Sequence, residues 1–229
     1  MQKKSQTPET YNAQYTAGGF AKVYHLSYRH TPYLPLFKST LKLVTSFHRK
    51  NSILDVGCGN GTFGHMVTNH SKLTYRGFDF SEKAIELAKE NCSTPEFFSV
   101  GDARDSSNYE KEFECLTCTE VLEHLEDDLS VIRAWPSGKP FVCSVPNFDS
   151  VYHERFFLTE ESVLERYGDL LNIQGVEFLF QPLRKNLSFK STVLFMLKTL
   201  VSWSRIKRVI KKFVMKKGTG WFVFYGTIK

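Results

Sequence analysis

Residues Ile53 to Gly61, reading ILDVGCGNG, bring an acid and three glycines together where an apolar run breaks into a turn. Gly57, Gly59 and Gly61 can take positive φ and carry no Cβ. The chain can therefore bend sharply there and set its backbone N–H groups against a ligand where the next helix starts. Asp55 stands just ahead of the turn, where a carboxylate attracts a cationic ligand and repels a pyrophosphate. Gly59, Gly61 and Gly64 also spell the GxGxxG of a dinucleotide-binding fold, a signature that is weak by itself. A glycine turn closing an unliganded strand and helix is the bland alternative.

Two more acids follow at spacings that suit an adenosine-bearing ligand. Asp79 lies 18 residues beyond Gly61, near the separation at which a carboxylate reaches ribose hydroxyls. Asp102, in the tripeptide GDA, is placed to receive an adenine amino group. Either acid alone would more often be a turn or cap residue, whereas three on successive strand ends form a constellation. A third group, Glu120, Glu123 and His124, sits in TEVLEHLEDD. A turn or helix starting near Val121 would bring Glu120 onto one face with Glu123 or His124, by the three- and four-residue spacing of helical neighbours. Histidine titrates near neutral pH, so His124 is a candidate general base, with helix capping as the structural alternative.

Stepping outward, the pattern predicts an alternation of strands and helices, hence an α/β fold with a mostly parallel sheet covered on both faces. Strands are expected at 53–56, 73–80, 97–100, 113–119, 141–145, 176–180 and 221–225, and helices at 62–69, from Ser81 to about 91, from about 126 to before Pro136, and at 160–167. A chain of 229 residues fits one such domain. Residues 1–50 differ in character, with Tyr11, Tyr15, Tyr24, Tyr28 and Tyr33 punctuated by glycine and proline. They are expected to form a cap over the sheet edge where open α/β sheets bind ligands, or else an aromatic arm packed as plain core.

On these residues the sequence resembles the class I S-adenosylmethionine-dependent methyltransferases: ILDVGCGNG, the acid of GFDFS, the GDA and TEVLEHLEDD occur in that family's order and spacing. The resemblance implies a Rossmann-like seven-stranded sheet with an antiparallel last strand. It also implies donor binding by Asp55, Gly57, Gly59, Gly61, Asp79 and Asp102, within a methyltransferase domain over residues 51–229. EVLEH is similar to the segment found in ubiquinone-pathway O-methyltransferases and in small-RNA 3′-terminal 2′-O-methyltransferases, which implies that Glu120, Glu123 and His124 bind a divalent ion. His153 is a candidate fourth ligand. Magnesium would accept two carboxylates, an imidazole and water.

Charge is unevenly placed. Residues 1–177 hold 18 lysines and arginines against all 24 acids, and residues 178–229 hold the other 12 basic residues and no acid. Within an insert at 185–218, Trp203, Ile206, Ile210 and Phe213 follow a helical stripe beside Arg205, Lys207, Arg208, Lys211 and Lys212. Residues 190–217 are thus expected to meet an anionic membrane surface, unless the helix simply packs on the domain. The polar opening of the chain has no apolar run resembling a signal peptide, and five irregularly spaced cysteines read as reduced thiols, so a cytoplasmic, peripherally membrane-associated protein is expected. The function expected is O-methylation of a small or lipid-like acceptor. The rivals are an RNA ribose 2′-O-methyltransferase, disfavoured by the acidic first 177 residues, and a non-catalytic cofactor-binding scaffold.

Overall fold

A computed structural model describes Asn12, Tyr15, residues 27–181 and residues 218–229. The basic insert therefore lies outside the described residues, apart from Gly218. Helix α1, Leu34–Lys42, continues into one π turn, Leu43–Phe47. Seven strands follow: β1 Ser52–Val56, β2 Thr74–Asp79, β3 Phe98–Val100, β4 Cys115–Thr119, β5 Pro140–Pro146, β6 Leu171–Phe180 and β7 Gly220–Ile228. Between them run α2 Thr62–His70, α3 Glu82–Asn91, α4 Asp128–Arg133 and α5 Glu160–Tyr167.

The strands form one sheet in the order β3-β2-β1-β4-β5-β7-β6. Pairings among β1 to β5 are parallel, and β7 runs antiparallel between β5 and β6. Alternation along the strands sends side chains to two cores. Leu54, Val56, Leu116 and Phe141 pack on one face with Val131 and Ile132 of α4 and Val163 and Tyr167 of α5. Ile53, Tyr75, Cys115 and Val142 pack on the other with Leu36 of α1, Phe63 and Met66 of α2 and Ile85 of α3. With both faces covered, the inner strands read as apolar runs.

Local chemistry fixes the helix starts. Ser81 Oγ accepts the Ala84 N–H at 3.1 Å, and Thr159 and Ser162 form a reciprocal capping box at α5. Glu82, Glu86 and Lys89 of α3 are exposed. Two expected elements are revised. The helix expected from about residue 126 is the shorter α4, because Asp127 caps it by accepting the Ser130 N–H. The sixth strand starts five residues early, at Leu171, since an edge strand tolerates polar residues such as Asn172 and Gln174 and a register shift between Ile173 and Gly175. Of the turn or helix expected near Val121, the EVLEH segment makes the turn, a short 3-10 one at Leu122–His124. All five cysteines are buried and free, and no helix among the described residues is long and apolar enough to cross a membrane.

Candidate active site

The carboxyl ends of the parallel strands open into a cavity of about 900 Å³. Asp55, Gly57, Gly59, Asp79, Asp102, Glu120, His124 and His153 all line it, so eight of the expected site residues converge from five strand ends and their loops. Gly61 and Glu123 do not line it. Gly61, at φ +74°, faces the protein instead, where an added Cβ would meet Ala88 and the Phe98 ring at 2.9 Å.

At the end built on the glycine turn, the loop's polar groups are turned inward. The N–H groups of Gly57 and Cys58 both donate to Phe78 O, at 2.8 and 3.0 Å, and that of Gly61 donates to Cys58 O at 3.1 Å. Gly59 N–H donates to Asp79 Oδ2 at 3.0 Å, and Ser81 N–H donates to Asp79 Oδ1 at 2.9 Å. The expectation that these N–H groups press on a cofactor is therefore corrected: they hold the turn together, and what the loop presents is carboxylate, carbonyl and bare Cα. A pyrophosphate needs free N–H donors. This loop suits a cation.

Asp55 accepts from Tyr75 Oη at 2.6 Å and from Thr117 Oγ1 at 2.7 Å. Burial pushes its carboxyl up to about 7 against the pull of those two hydroxyls, and burial lifts Asp79 to about 6 against its two N–H bonds. Two buried acids held this high gain most from a positive charge entering beside them. Tyr75 and Thr117 escaped sequence reasoning, although Thr117 stands directly opposite Asp55 in the β1–β4 register. Asp102 is different: half exposed, it is gripped by Arg104 through Nε at 3.0 Å and Nη2 at 2.6 Å, which holds its carboxyl below the usual range.

The other end is built on the loop after β4. Glu120 sits at φ +59°, a left-handed conformation that costs a non-glycine residue about 1 kcal/mol. Ser144 secures it, accepting the Glu120 N–H at 3.1 Å and donating to Oε1 at 3.4 Å. Burial raises Glu120 to about 7, opposed by Trp221 and Ser144. Glu123 is wholly buried, and neither of its carboxyl oxygens has a hydrogen-bond partner; burial, then the nearness of Glu120, raises its carboxyl well above the ordinary range.

His124 Nδ1 lies 2.8 Å from Tyr152 O, and His153 Nδ1 lies 3.1 Å from Phe148 O. A carbonyl only accepts, so in each ring Nδ1 carries the proton, which leaves Nε2 of the neutral His124 with the lone pair. Burial lowers His124 to about 4, so it is neutral at physiological pH. The two rings meet edge to face with centroids 5.0 Å apart. Ligand atoms of Glu123, His124 and His153 all lie within 4.8 Å of one another, and Glu120 stands outside that group.

From the N-terminal segment, Tyr15, Tyr33 and Phe37 join the cavity lining, as do Phe148 and Tyr152 from the loop after β5. Gly57 links the two ends: at φ +69°, it leaves the space where a Cβ would come within 2.4 Å of Val121 Cγ2. Residues 47–212 match the family profile described as a methyltransferase domain. The chain is 26% identical over 141 residues to the ubiquinone biosynthesis O-methyltransferase of Coxiella burnetii, covering 58% of this chain and 53% of that protein. It spans about half the length of the curated relatives it matches.

Among solved structures, the [4+2]-cyclase SpnF superposes with a TM-score of 0.63 at 12% identity, covering 100% of this chain and 99% of that one. Phosphoethanolamine N-methyltransferase 2 of Haemonchus contortus, solved with S-adenosyl-L-methionine, superposes with a TM-score of 0.56 at 14% identity, covering 96% of this chain and 60% of that one. At these identities the likeness shows the fold. The profile match, spanning most of the chain, goes further: the protein belongs to the class I S-adenosylmethionine-dependent methyltransferase family.

Proposed function

We propose that this chain transfers the methyl group of S-adenosylmethionine to a hydroxyl oxygen of a small acceptor bound in the same cavity. The observation that carries the reading is the pairing of two environments in one cavity: a glycine turn whose N–H groups are engaged beside two buried acids of raised pKa, and an imidazole whose Nε2 lone pair is fixed by its tautomer. The first suits a ligand bearing ammonium and sulfonium charge. The second suits a group that loses a proton.

Methyl transfer from a sulfonium is an in-line displacement whose thioether leaves without a proton, so alignment supplies much of the acceleration. Asp55, Asp79 and the turn hold the donor, with Asp102 reaching its adenine. His124 Nε2 takes the acceptor's proton as the oxygen attacks, a step that general bases accelerate by about 10²- to 10⁴-fold. A base held this weak favours an acidic hydroxyl, phenol-like rather than alkyl. Aromatic walls from Tyr33, Phe37, Phe148 and Tyr152 suit a flat or apolar acceptor and exclude water. O-methylation is supported by the curated relatives' names, and a lipid-like acceptor met at an anionic surface by residues 190–217 is supported by the segregation of charge. The cyclase neighbour is a reminder that this fold by itself does not fix chemistry.

A second reading rests on Glu123. A fully buried carboxyl with two unpartnered oxygens, beside two histidines whose Nδ1 protons are already donated to carbonyls, fits a divalent cation. Glu123, His124 and His153 would hold it, and it would lower the pKa of an acceptor hydroxyl. Two imidazoles and one carboxylate suit manganese or zinc better than magnesium, which prefers oxygen ligands; Glu120 would have to turn inward to complete an oxygen-rich set.

Calorimetry with S-adenosylmethionine and its demethylated product tests the donor half. Binding on the order of −8 kcal/mol is expected, and preference for a nicotinamide dinucleotide would overturn it. Release of S-adenosylhomocysteine across a panel of phenols, alcohols and short RNAs, each with and without exhaustive chelation, tests the acceptor half. Turnover on phenols is expected; turnover confined to RNA would replace the small acceptor, and full activity after chelation would remove the cation.

A further inference from the structure

The turn that carries Glu123 and His124 points three carbonyls at one side chain outside the cavity lining. Arg155 Nη1 donates to Leu122 O at 2.8 Å and to Leu125 O, and Nη2 donates to Glu126 O at 2.7 Å. Main-chain bonds add to this seam. Glu154 N–H donates to Glu123 O at 2.7 Å, and His124 Nδ1–H donates to Tyr152 O at 2.8 Å. Residues 122–126 follow β4 and residues 152–155 follow β5, so loops from adjacent strands are joined into one body. That body is what brings the His124 and His153 rings together.

The guanidinium is itself fixed. Asp128, with a side chain 0% exposed, faces Arg155 Nη1 at 3.2 Å, Arg166 Nη2 at 2.5 Å and Tyr167 Oη at 2.8 Å. A planar fork of donors can bridge several carbonyls while keeping a carboxylate contact; an ammonium, with its donors on one atom, cannot span them. Arg166 shares the carboxylate and is hydrogen-bonded to none of the turn's carbonyls.

We infer that Arg155 is a positioning residue, which sets the placement of His124 relative to His153 by clamping the turn after β4 onto the loop after β5. The inference rests on the reading of His124 as the group facing the acceptor. Misplacing a reacting group by about 1 Å costs on the order of 100-fold in rate, so the clamp bears on turnover without touching either ligand.

The test is Arg155→Lys, which keeps the charge and removes the fork, beside Arg166→Lys as the control on the same carboxylate. For Arg155→Lys, kcat is expected to fall roughly 10- to 100-fold while the dissociation constant for S-adenosylhomocysteine stays within about twofold. In two-bond ¹H–¹⁵N spectra, the fixed Nδ1–H tautomers of His124 and His153 should give way to averaged signals. Arg166→Lys should leave both rings and kcat near wild type. An unchanged imidazole spectrum in Arg155→Lys overturns the inference, and so does a loss of product affinity in step with kcat, which marks a general structural role. The spectra need no turnover. They read the clamp separately from the functional proposal, which fails by itself if the wild-type protein transfers no methyl group to any acceptor.

Discussion

The two ends of the cavity treat their polar groups in opposite ways. At the donor end nearly every group is paired within the fold: Asp55 with Tyr75 and Thr117, Asp79 with Gly59 and Ser81, and the turn's N–H groups with Phe78 and Cys58. At the acceptor end Glu123 is buried with both oxygens unpartnered, Glu120 is held at a left-handed φ, and His124 is kept neutral by burial. Satisfied groups rigidify a site, whereas unsatisfied and strained ones raise a cost that only a ligand or a reaction relieves. The donor end is thus a finished mould, and the acceptor end is under tension.

The largest effect should come from breaking the tense end. His124→Ala is expected to lower kcat by about 10²- to 10⁴-fold with donor affinity nearly unchanged, a split read by steady-state kinetics beside calorimetry. Equal losses in both would mean the ends are not distinct.

Next in size is Gly57→Ala, which attacks the joint between them. Its Cβ would displace Val121 and force φ +69° on an alanine, so donor affinity and kcat should fall together by more than about tenfold, with a stability loss of about 1 to 3 kcal/mol in urea unfolding. A fall in kcat alone would show that the turn tolerates the methyl group and that only the Val121 side yields.

Proton linkage gives a subtler test. Asp55 and Glu120 at about 7 and Asp79 at about 6 bind protons more tightly folded than unfolded, so they make the unliganded protein less stable as pH rises from about 4 to 8. His124, lowered to about 4, works the other way below its ordinary value near 6.5, so the uncompensated fall lies between about pH 6.5 and 8. Unfolding free energies across that window should drop on the order of 2 kcal/mol, and saturating S-adenosylmethionine, whose charge favours the ionised Asp55 and Asp79, should remove their share and leave that of Glu120. A drop undiminished by saturation would detach Asp55 and Asp79 from the donor. The smallest effect sharpens the donor end: Asp102→Asn, half exposed and already paired with Arg104, should weaken product binding by less than about threefold in calorimetry.

Much of the mould was legible because its signals are local. ILDVGCGNG marks the strand, the acid and the turn in one stretch, Ser81 caps α3 where a serine before an amphipathic run should, and α5 spans the expected residues. The tension was not legible. Nothing near Glu123 in the chain says that its oxygens lack partners, since that depends on which groups from other loops reach it. The left-handed φ of Glu120 is imposed by Ser144, 24 residues away, and the Arg155 clamp joins loops from two strands. Thr117 lies between the two cases: once β1 and β4 are paired in register, its place opposite Asp55 follows from strand geometry alone.

The junction of β6 and β7 bears on how this scaffold can change. Phe180 pairs with Gly220 and Leu179 with Trp221, and Gln181 N–H donates to Thr219 O at 2.9 Å. The two points where residues 182–217 leave and rejoin the described structure are therefore hydrogen-bonded neighbours, as in a hairpin that a tight turn of a few residues could close. They lie at the sheet edge that opens onto the cavity, next to Asn147, whose Oδ1 accepts the Gly220 N–H at 2.8 Å. Such a junction works as a socket. A segment of another length or charge can span those two points without altering strand register, because the pairing of β6 with β7 is complete up to them.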